Sequence, residues 1–336
     1  MVTQMDVARL AGVGRRTVSN VVIGFPHVSE EARARVLHAI DELGYVPNRA
    51  AQRLRTGRSG VIALTVPEVG VGYFGELANL IIEEAALRGL GTIIAQTHGS
   101  RERELTEIER LLALQPDGLV ASPLGLTLDD IETFSARTSV ALIGEHFLDE
   151  TVSTIAIDNS RAAAEITTHL IDSGSRRIAF IGGPADAEHQ PHFNELRRSG
   201  CRSVLAAHGL DPVIDVCLED YTAEAGFRAG ITLAERDVDA VFCVTDEVAI
   251  GVIRALHDAG RRVPDDIRVA GFDDIPEGRF STPRLTTASP DKIEIARRAV
   301  AATLGEQAST DPVPHTLIVR ESTSRPAASS TPRPRG

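Results

Sequence analysis

The chain has 336 residues, of which 43% are hydrophobic and 24% charged, and its formal net charge is −12. This length exceeds what one hydrophobic core usually serves, so two or three domains are expected. No run of about 18 apolar residues occurs, which excludes a membrane-spanning helix. The N-terminus, MVTQMDVARLAGV, lacks the apolar run and cleavage site of a signal peptide, which indicates a cytoplasmic protein. Cys201, Cys217 and Cys243 form no CxxC pair, which predicts buried thiols in a reducing compartment.

Positive charge is concentrated at the N-terminus. Residues 1–58 contain nine arginines and five acidic residues, whereas the remainder contains 26 basic and 42 acidic residues. A basic head on an acidic body favours contact between the head and a polyanion. On charge alone, a solvated arginine-rich helix face is an equal alternative.

The first 44 residues predict three short helices. Thr3, followed by Asp6 three residues later, has the capping-box pattern for the first helix. Ser29 caps the third helix, and Gly44 ends it. The residues expected in the core of these helices are Val7, Ala8, Leu10, Ala11, Val18, Val21, Val22, Val36, Ile40 and Leu43. A helix, a glycine turn at Gly12 and a second helix over 15–22 are typical of a helix-turn-helix.

The second helix carries the side chains that a DNA-reading surface requires. Arg15, Arg16 and Asn20 are expected on its outward side, since residues 16 and 20 are one turn apart. Such a helix enters the major groove, where arginine reads guanine bidentately and asparagine reads adenine. This pattern predicts base recognition by the second helix.

The next stretch, YVPNRAAQRLRTGRSG, predicts a short helix over 49–55 capped by Asn48. Leu54 is its one exposed apolar residue, and it stands between Arg53 and Arg55. A leucine flanked by arginines fits a wedge into the minor groove, where the leucine unstacks a base step. A flexible basic linker is the alternative interpretation.

From Val61 onward, apolar strands alternate with amphipathic helices, which predicts doubly wound parallel sheets. The strand segments are VIALTVP (61–67), TIIAQT, DGLVASP, VALIG (140–144), STIAIDN (153–159), RIAFIGG, AVFCVTD (240–246) and IRVAGFDD (267–274). They fall into two series, and two series predict two similar subdomains with a cleft between them. The tail, SRPAASSTPRPRG, is expected to be disordered.

One motif suggests a nucleotide-binding enzyme. Gly70, Gly72 and Gly75 in GVGYFG match G-x-G-x-x-G between a strand and a helix. Pro67 and Glu68 lengthen the turn, however, and the following strand ends in Gln and Thr where a ribose-binding acid is expected. The signatures of serine hydrolases, zinc proteases and P-loop enzymes do not occur either.

Three carboxylates are expected at the ends of predicted strands. Asp158, Asp246 and Asp273 occupy the positions where α/β sheets bind ligands. Carboxylates there suit hydrogen bonding to sugar hydroxyls, and nothing marks a nucleophile or a metal partner. Ligand binding without catalysis, cofactor or metal is therefore the favoured interpretation.

The chain resembles the lac-repressor/purine-repressor (LacI/GalR) family of bacterial transcriptional regulators. The resemblance covers residues 2–325 and rests on DVARLAGVGRRTVSNVV, VSEEARARVLHAIDELGYVPNRAAQRLRTGRSGVIAL, IAIDN, VFCVTDEVAIGVIRAL, VPDDIRVAGFDDI, TPRLTT and RESTSRP. It implies a helix-turn-helix domain (1–46), a hinge helix (47–59), and a core like periplasmic sugar-binding proteins (60–325), with a disordered tail (326–336). The core would comprise an N-subdomain (about 60–159 and 289–317) and a C-subdomain (about 160–288 and 318–325), joined by crossings near 160, 288 and 318.

The resemblance also implies roles for individual residues. In the DNA-binding part, Arg15, Arg16 and Asn20 would read bases, Thr17 and Tyr45 would touch the backbone, and Leu54 would enter the minor groove beside Arg55. In the core, Phe74 would line the cleft, and Arg197 and Asp273 would hold the effector, with Tyr221 and Asp246 as neighbours. Arg198 is the alternative to Arg197.

These features predict a homodimeric, cytoplasmic and nucleoid-associated repressor that binds a palindromic operator. Its operator affinity would be controlled by a small effector, most simply a mono- or oligosaccharide, bound in the cleft of the core. Two alternatives from other classes are a sugar-binding protein without a regulatory role and an α/β enzyme that uses a nucleotide cofactor.

Overall fold

The computed structural model describes residues 2–22, 25–45, 58–145, 152–183, 192–210, 215–218, 220–306 and 309–324. The chain divides into two compact units, Met1–Gly60 and Val61–Gly336. Most of the expected hinge helix, including Leu54 and Arg55, and the tail 326–336 lie outside the described residues.

The N-terminal unit contains three helices, α1 (Gln4–Ala11), α2 (Arg15–Val22) and α3 (Glu30–Leu43). The predicted capping box is present, because Thr3 N donates to Asp6 Oδ2 at 2.9 Å and Asp6 N donates to Thr3 Oγ1 at 3.4 Å. Ala32 N donates to Ser29 Oγ at 3.3 Å, as expected for the cap of α3. Gly12 ends α1 in the left-handed conformation, with φ of 63°, which glycine adopts without steric cost.

The core of this unit lies between the three helices. Its buried members are Val7, Ala8, Ala11, Val18, Val21, Val36, Ala39 and Tyr45. Val22, Ile40 and Leu43 pack at its edge and are partly buried. The prediction for Leu10 is wrong: its surface is 46% exposed, because the buried face of α1 runs through Val7, Ala8 and Ala11 and directs residue 10 outward.

The second unit alternates strands and helices over its whole length. Its first sheet and the covering helices are formed by β1 (Val61–Val66), α4 (Gly72–Leu87), β2 (Gly91–Gln96), α5 (Arg101–Ala113), β3 (Leu119–Ala121), α6 (Leu128–Ser135), β4 (Val140–Ile143) and β5 (Ser153–Ile155). The chain continues through α7 (Asn159–Asp172), β6 (Ile178–Gly182), α8 (His192–Ala207), β7 (Asp215–Cys217), α9 (Ala223–Ala234), β8 (Ala240–Cys243), α10 (Asp246–Asp258), β9 (Arg268–Phe272) and α11 (Pro276–Phe280). The last elements are β10 (Thr286–Pro290), α12 (Lys292–Thr303) and β11 (His315–Ile318).

The first sheet has the strand order β2-β1-β3-β4-β5, and all its pairs are parallel. The second has the order β11-β10-β9-β8-β6-β7. Its strands are parallel except β11, which runs antiparallel to β10 and ends the sheet. The prediction of two doubly wound sheets is confirmed, with β11 as an antiparallel edge that the strand pattern did not reveal.

The chain crosses between the two subdomains three times. The first crossing follows β5, because α7 packs against the second sheet. The second follows β10, since α12 packs on α4 and on β3, β4 and β5 of the first sheet. Val313 forms a parallel bridge with Ile157 beside the first sheet, whereas His315 already pairs with Pro290 in the second. The third crossing therefore lies near Pro314, and the expectation of a crossing near 318 is late by a few residues.

Two of the three cysteines follow the sequence prediction. Cys201 and Cys243 are buried, but Cys217 is exposed. Cys217 belongs to β7, which is the last strand of the second sheet. An edge strand has a neighbour on one side only, so its side chains are less covered than those of β6 or β8.

Candidate functional site

The second helix of the N-terminal unit presents one polar face. Arg15 and Arg16 are exposed, Thr17 and Asn20 are half-buried, and Val18 lies in the core on the opposite side. Arg15 Nε donates to Gln4 Oε1 of α1 at 3.5 Å. The structure thus brings the four predicted contact residues of α2 to one accessible helix surface.

Tyr45 occupies a different environment. It directly follows Gly44 and packs into the three-helix core, with 8% of its surface exposed. Its backbone N donates to Ile40 O at 2.9 Å, which completes the end of α3. Most of the Tyr45 side chain is therefore buried in the core of this unit. Only its small exposed part could contact a phosphate of the DNA backbone.

In the second unit, a cavity of about 440 Å³ lies where the carboxyl ends of both sheets meet. The loop after β1 contributes Pro67 and Glu68, and the loop after β4 contributes Gly144 and Glu145. From the second sheet, Thr245 and Asp273 follow β8 and β9. This location follows from the topology, because loops diverge at the carboxyl ends of parallel strands and leave a crevice there. The volume lies within the range of about 300–1,000 Å³ that is typical of small-molecule sites.

Two pairs of aromatic rings line this cavity. Tyr73 and Phe74, at the start of α4, have ring centroids 5.2 Å apart at an interplanar angle of 73°. Phe193 and Tyr221 have centroids 5.4 Å apart at 54°. Burial raises the pKa of the Tyr221 hydroxyl to about 12, and burial beside Asp273 raises that of Tyr73 as well. Both hydroxyls are therefore protonated and able to donate at neutral pH.

Arg197 is held rigidly at the floor of the cavity by α8. Its Nε donates to Asn159 Oδ1 at 2.7 Å, and its Nη1 donates to Val244 O at 2.5 Å. Its Nη2 lies 3.5 Å from Asp273 Oδ1, which is a long ion pair. The guanidinium carbon also stacks 3.4 Å from the centroid of the Phe272 ring. These contacts fix the plane of the guanidinium before any ligand arrives.

Two carboxyl groups share Arg197 as a counter-charge. Burial raises the pKa of Asp273 to about 6, although Arg197 and Lys292 both lower it. Burial also raises the pKa of Glu145, again partly offset by Arg197. Asn159 Nδ2 donates to Glu145 Oε1, so one asparagine connects this carboxyl to Arg197. Asp273 has a φ of 108°, an unusual backbone conformation for a residue other than glycine.

Lys292, the first residue of α12, supports the cavity from outside. Its Nζ donates to the carbonyl oxygens of Asp273 and Asp274 at 2.9 and 3.1 Å and forms an ion pair with Glu76 of α4. The lysine is 6% exposed. It therefore joins the first subdomain to the loop after β9 and helps to hold Asp273 in its strained conformation.

The structure separates the predicted effector residues. Phe74, Arg197, Tyr221 and Asp273 line the cavity, whereas Asp246 and Arg198 are not among its described lining residues. Asp246 is the first residue of α10 and turns back under the loop after β9, where its Oδ2 accepts from Ile275 N at 3.0 Å. It is fully buried, and desolvation together with the charge of Asp273 raises its pKa.

Arg198 points to the other side of α8. It is completely buried, its Nη1 donates to Glu195 Oε2 at 3.0 Å and its Nη2 donates to the carbonyl of Gly183. Consecutive residues of a helix are about 100° apart, so only one of the two arginines faces the cavity. That residue is Arg197.

Sequence reasoning missed four residues of the site: Tyr73, Glu145, Asn159 and Phe193. Glu145 directly follows the segment VALIG, so the rule that singled out Asp273 at a strand end applies to it equally. Asn159 follows Asp158, which instead caps α7 by accepting from Arg161 N at 2.9 Å. Nothing in the local sequence marks Phe193, because its role depends on the direction of α8.

Comparison with known proteins identifies the family. Residues 3–48 match the family described as bacterial regulatory proteins, lacI family, and residues 167–323 match a periplasmic binding protein-like domain. Catabolite control protein A of Priestia megaterium is 30% identical over 96% of this chain and 99% of its own length. The chain belongs to the lacI family. The HTH-type transcriptional regulator CelR of Thermobifida fusca is 37% identical over 94% of this chain and 96% of its own.

Solved structures of LacI-family proteins share the architecture. The lac repressor dimer bound to operator and the anti-inducer ONPF superimposes with a TM-score of 0.81 and 26% identity, covering 96% of this chain and 99% of that one. A complex of CelR with cellobiose has a TM-score of 0.68 and 31% identity, covering 96% and 100%. The resemblance and the fold class inferred from the sequence are thereby confirmed, and the chain is a transcriptional regulator with a helix-turn-helix. None of the described helices combines the length and hydropathy of a bilayer-spanning segment.

Proposed function

We propose that this LacI-family regulator is a repressor that binds a palindromic operator as a homodimer. A sugar bound in the cavity of its core raises or lowers its affinity for that operator. The observation that carries the proposal is the coexistence in one chain of an exposed arginine face on α2 and a preformed cavity with a fixed arginine and two carboxyls. CelR binds cellobiose in a solved complex, and the lac repressor dimer binds operator.

The DNA-binding half of the proposal rests on α2. Arg15 and Arg16 are exposed on it, and Asn20 shares their face. Guanidinium and carboxamide groups on one helix face read purine edges in the major groove. A net positive head with a negative remainder favours contact of DNA with the head alone.

The effector half rests on the cavity. Arg197 and the two carboxyls are suited to hydroxyl groups, since the N–H groups of the guanidinium that have no partner among the described residues can donate to a hydroxyl and the carboxyl oxygens can accept from one. The rings of Tyr73, Phe74, Phe193 and Tyr221 provide apolar faces against which a sugar ring packs. A coupling of about 1–3 kcal/mol between the two sites is enough to change operator affinity by roughly 5–150-fold.

We favour a binding function over an enzymatic one. Gly72, the middle glycine of the dinucleotide-like motif, donates its backbone N–H to Glu247 Oε1 at 3.1 Å. A carboxylate thus occupies the N-terminus of α4, where a dinucleotide would place its pyrophosphate. A nicotinamide dinucleotide should consequently leave the melting temperature unchanged in a thermal-shift assay.

Fluorescence anisotropy with a labelled inverted-repeat duplex, selected from random sequence, tests the DNA-binding role. Arg16→Ala should weaken binding by about 1–3 kcal/mol and relax base preference at one position of each half-site. Arg103→Ala removes an exposed arginine from α5, so it changes the net charge equally and should leave binding unchanged. A protein that prefers no inverted repeat over random duplex at moderate salt would disprove the proposal.

The effector role is tested separately. A thermal-shift screen with mono- and disaccharides identifies ligands, and each is then added to the operator complex. Asp273→Ala should keep operator affinity and lose the response to the ligand. Loss of operator binding in this variant, while its fold is retained, would contradict the assignment of Asp273 to the effector site.

A further inference from the structure

We infer that the cavity selects an amine-bearing sugar over its neutral hydroxyl counterpart, with Glu145 as the residue that determines this preference. The inference deepens the proposed function and rests on it. It follows from the arrangement of charges and rings around the cavity, which differs from what a neutral polyol alone requires.

The charges around the cavity are unbalanced. Of the described residues that line it, Arg197 is the sole lysine or arginine, whereas the carboxylates are Glu68, Glu145, Asp220, Glu247 and Asp273. Lys292, which is not among the described lining residues, forms an ion pair with Glu76 and donates to the backbone carbonyl of Asp273, and its charge lowers the pKa of the Asp273 carboxyl. Among the described side chains that line the cavity, Glu145 and Asp273 therefore share one guanidinium.

The remaining three carboxylates are engaged or screened. Glu247 accepts from Gly72 N, and Asp220 Oδ1 accepts from Thr222 N at 3.0 Å. Glu68 lies 3.5 Å from His98, and half of its side chain is exposed. A ligand in the buried part of the cavity would consequently meet the negative charges of Glu145 and Asp273.

Arg197 offers little to an anion. Its Nε and Nη1 already donate to Asn159 and to the carbonyl of Val244, and its Nη2 faces Asp273. A phosphate or carboxylate on the ligand would approach two buried carboxyls with one largely engaged guanidinium. An ammonium group would instead place a positive charge inside the cavity and supply three donors for the carboxyl oxygens.

The aromatic lining supports the same conclusion. Tyr73, Phe74, Phe193 and Tyr221 line one cavity in a chain with only 13 aromatic residues of the Phe and Tyr types. Aromatic faces attract cations through the ring quadrupole, and the attraction strengthens where water is excluded. Rings together with buried carboxylates form an environment that favours an ammonium group over a hydroxyl.

Isothermal titration of the full-length protein with matched sugar pairs tests this inference. The pairs are glucosamine and glucose, galactosamine and galactose, and the β-1,4-linked disaccharides of glucosamine and of glucose. In at least one pair, the amine should bind about tenfold or more tightly than the hydroxyl compound, as expected for one added charge-assisted hydrogen bond. Equal or weaker binding of every amine, including no binding at all, overturns the inference.

Glu145→Gln assigns the preference to its residue. The amide oxygen can still accept from Asn159, so the fold and the affinity for the neutral sugar should be retained while the preference for the amine falls to near unity. Glu132→Gln is the matched control, because it makes the same change at an exposed residue of α6 that lies outside the described lining of the cavity. An unchanged amine preference in the Glu145 variant, or its loss in the Glu132 variant, would contradict the role of Glu145.

The outcome distinguishes this inference from the proposed function. If neutral sugars bind best and alter operator affinity, the regulatory function stands and the amine preference fails. If amines bind tightly without altering operator affinity, the preference stands and regulation through the cavity fails.

Discussion

Asp273→Asn should stabilise the free protein at neutral pH while removing its response to effector. In the folded protein the pKa of Asp273 is about 6, compared with 3.8 for an unperturbed aspartate. The folded state therefore binds this proton more tightly than the unfolded state, so stability falls as pH rises from about 4 to about 6 and stays lower above that range. The difference between 3.8 and about 6 corresponds to about 3 kcal/mol at pH 7.5.

Asparagine imitates the protonated carboxyl and does not ionise. It also tolerates positive φ better than most residues, which suits the φ of 108° at this position. The variant should unfold about 5 °C higher than the wild type at pH 7.5, as expected for a core of this length. At pH 4 the two proteins should unfold at the same temperature, because the wild-type carboxyl is then protonated in the folded state.

Differential scanning calorimetry of both proteins between pH 4 and pH 8 measures this effect. Asp266→Asn is a control of opposite sign, since its ion pair with Arg262 lowers the pKa of Asp266 to about 2. Removal of that charge should lower or leave unchanged the melting temperature at neutral pH. A lower melting temperature of Asp273→Asn at pH 7.5, or a difference that does not depend on pH, would show that ionisation of Asp273 does not destabilise the folded protein.

Two further changes test the packing around the site. In Gly251→Ala, the new β-carbon would lie 1.9 Å from Ala223 O of the adjacent helix α9. The free energy of unfolding, measured by thermal denaturation, should therefore fall by about 3 kcal/mol or more. Gly70→Ala is the control, because its new β-carbon would have no atom within 4 Å and the free energy of unfolding should hardly change. Glu104→Gln places an amide donor against backbone N–H donors, among them Leu124 N at 2.7 Å. The free energy of unfolding measured in urea should fall by about 2 kcal/mol, and an unchanged value would show that the carboxyl does not hold this loop.

The sequence predicts those parts of the molecule that local patterns determine. Capping by Thr3 and Ser29 and the span of α2 depend on residues within one or two turns, and they are found as expected. The alternation of apolar strands and helices likewise suffices for two parallel sheets. Leu10 was misplaced because the direction of a buried stripe depends on where the neighbouring helices lie, which no local pattern contains.

The site itself is less predictable because it combines distant segments. Asp273 is found from its position after a strand, but whether Arg197 or Arg198 faces the cavity depends on the rotation of α8, which the sequence leaves open. Asp246 also follows a strand, yet its side chain turns under the loop that contains Ile275. Position in the chain therefore identifies the loops of the cavity, whereas side-chain direction requires the tertiary structure.

The packing of α12 has a consequence for biosynthesis. One face of the first sheet is covered by α5 and α6, and the other by α4 together with α12. The helix α12 ends at Thr303, so it is synthesised after every strand of the second sheet except β11. The strands β3, β4 and β5 of the first sheet therefore remain uncovered on this face until almost all of the second sheet has been made. A nascent chain that stops near residue 160 would expose apolar strand surface. We therefore expect a ribosome-bound fragment of that length to be degraded by added protease, whereas the released full-length chain should resist it.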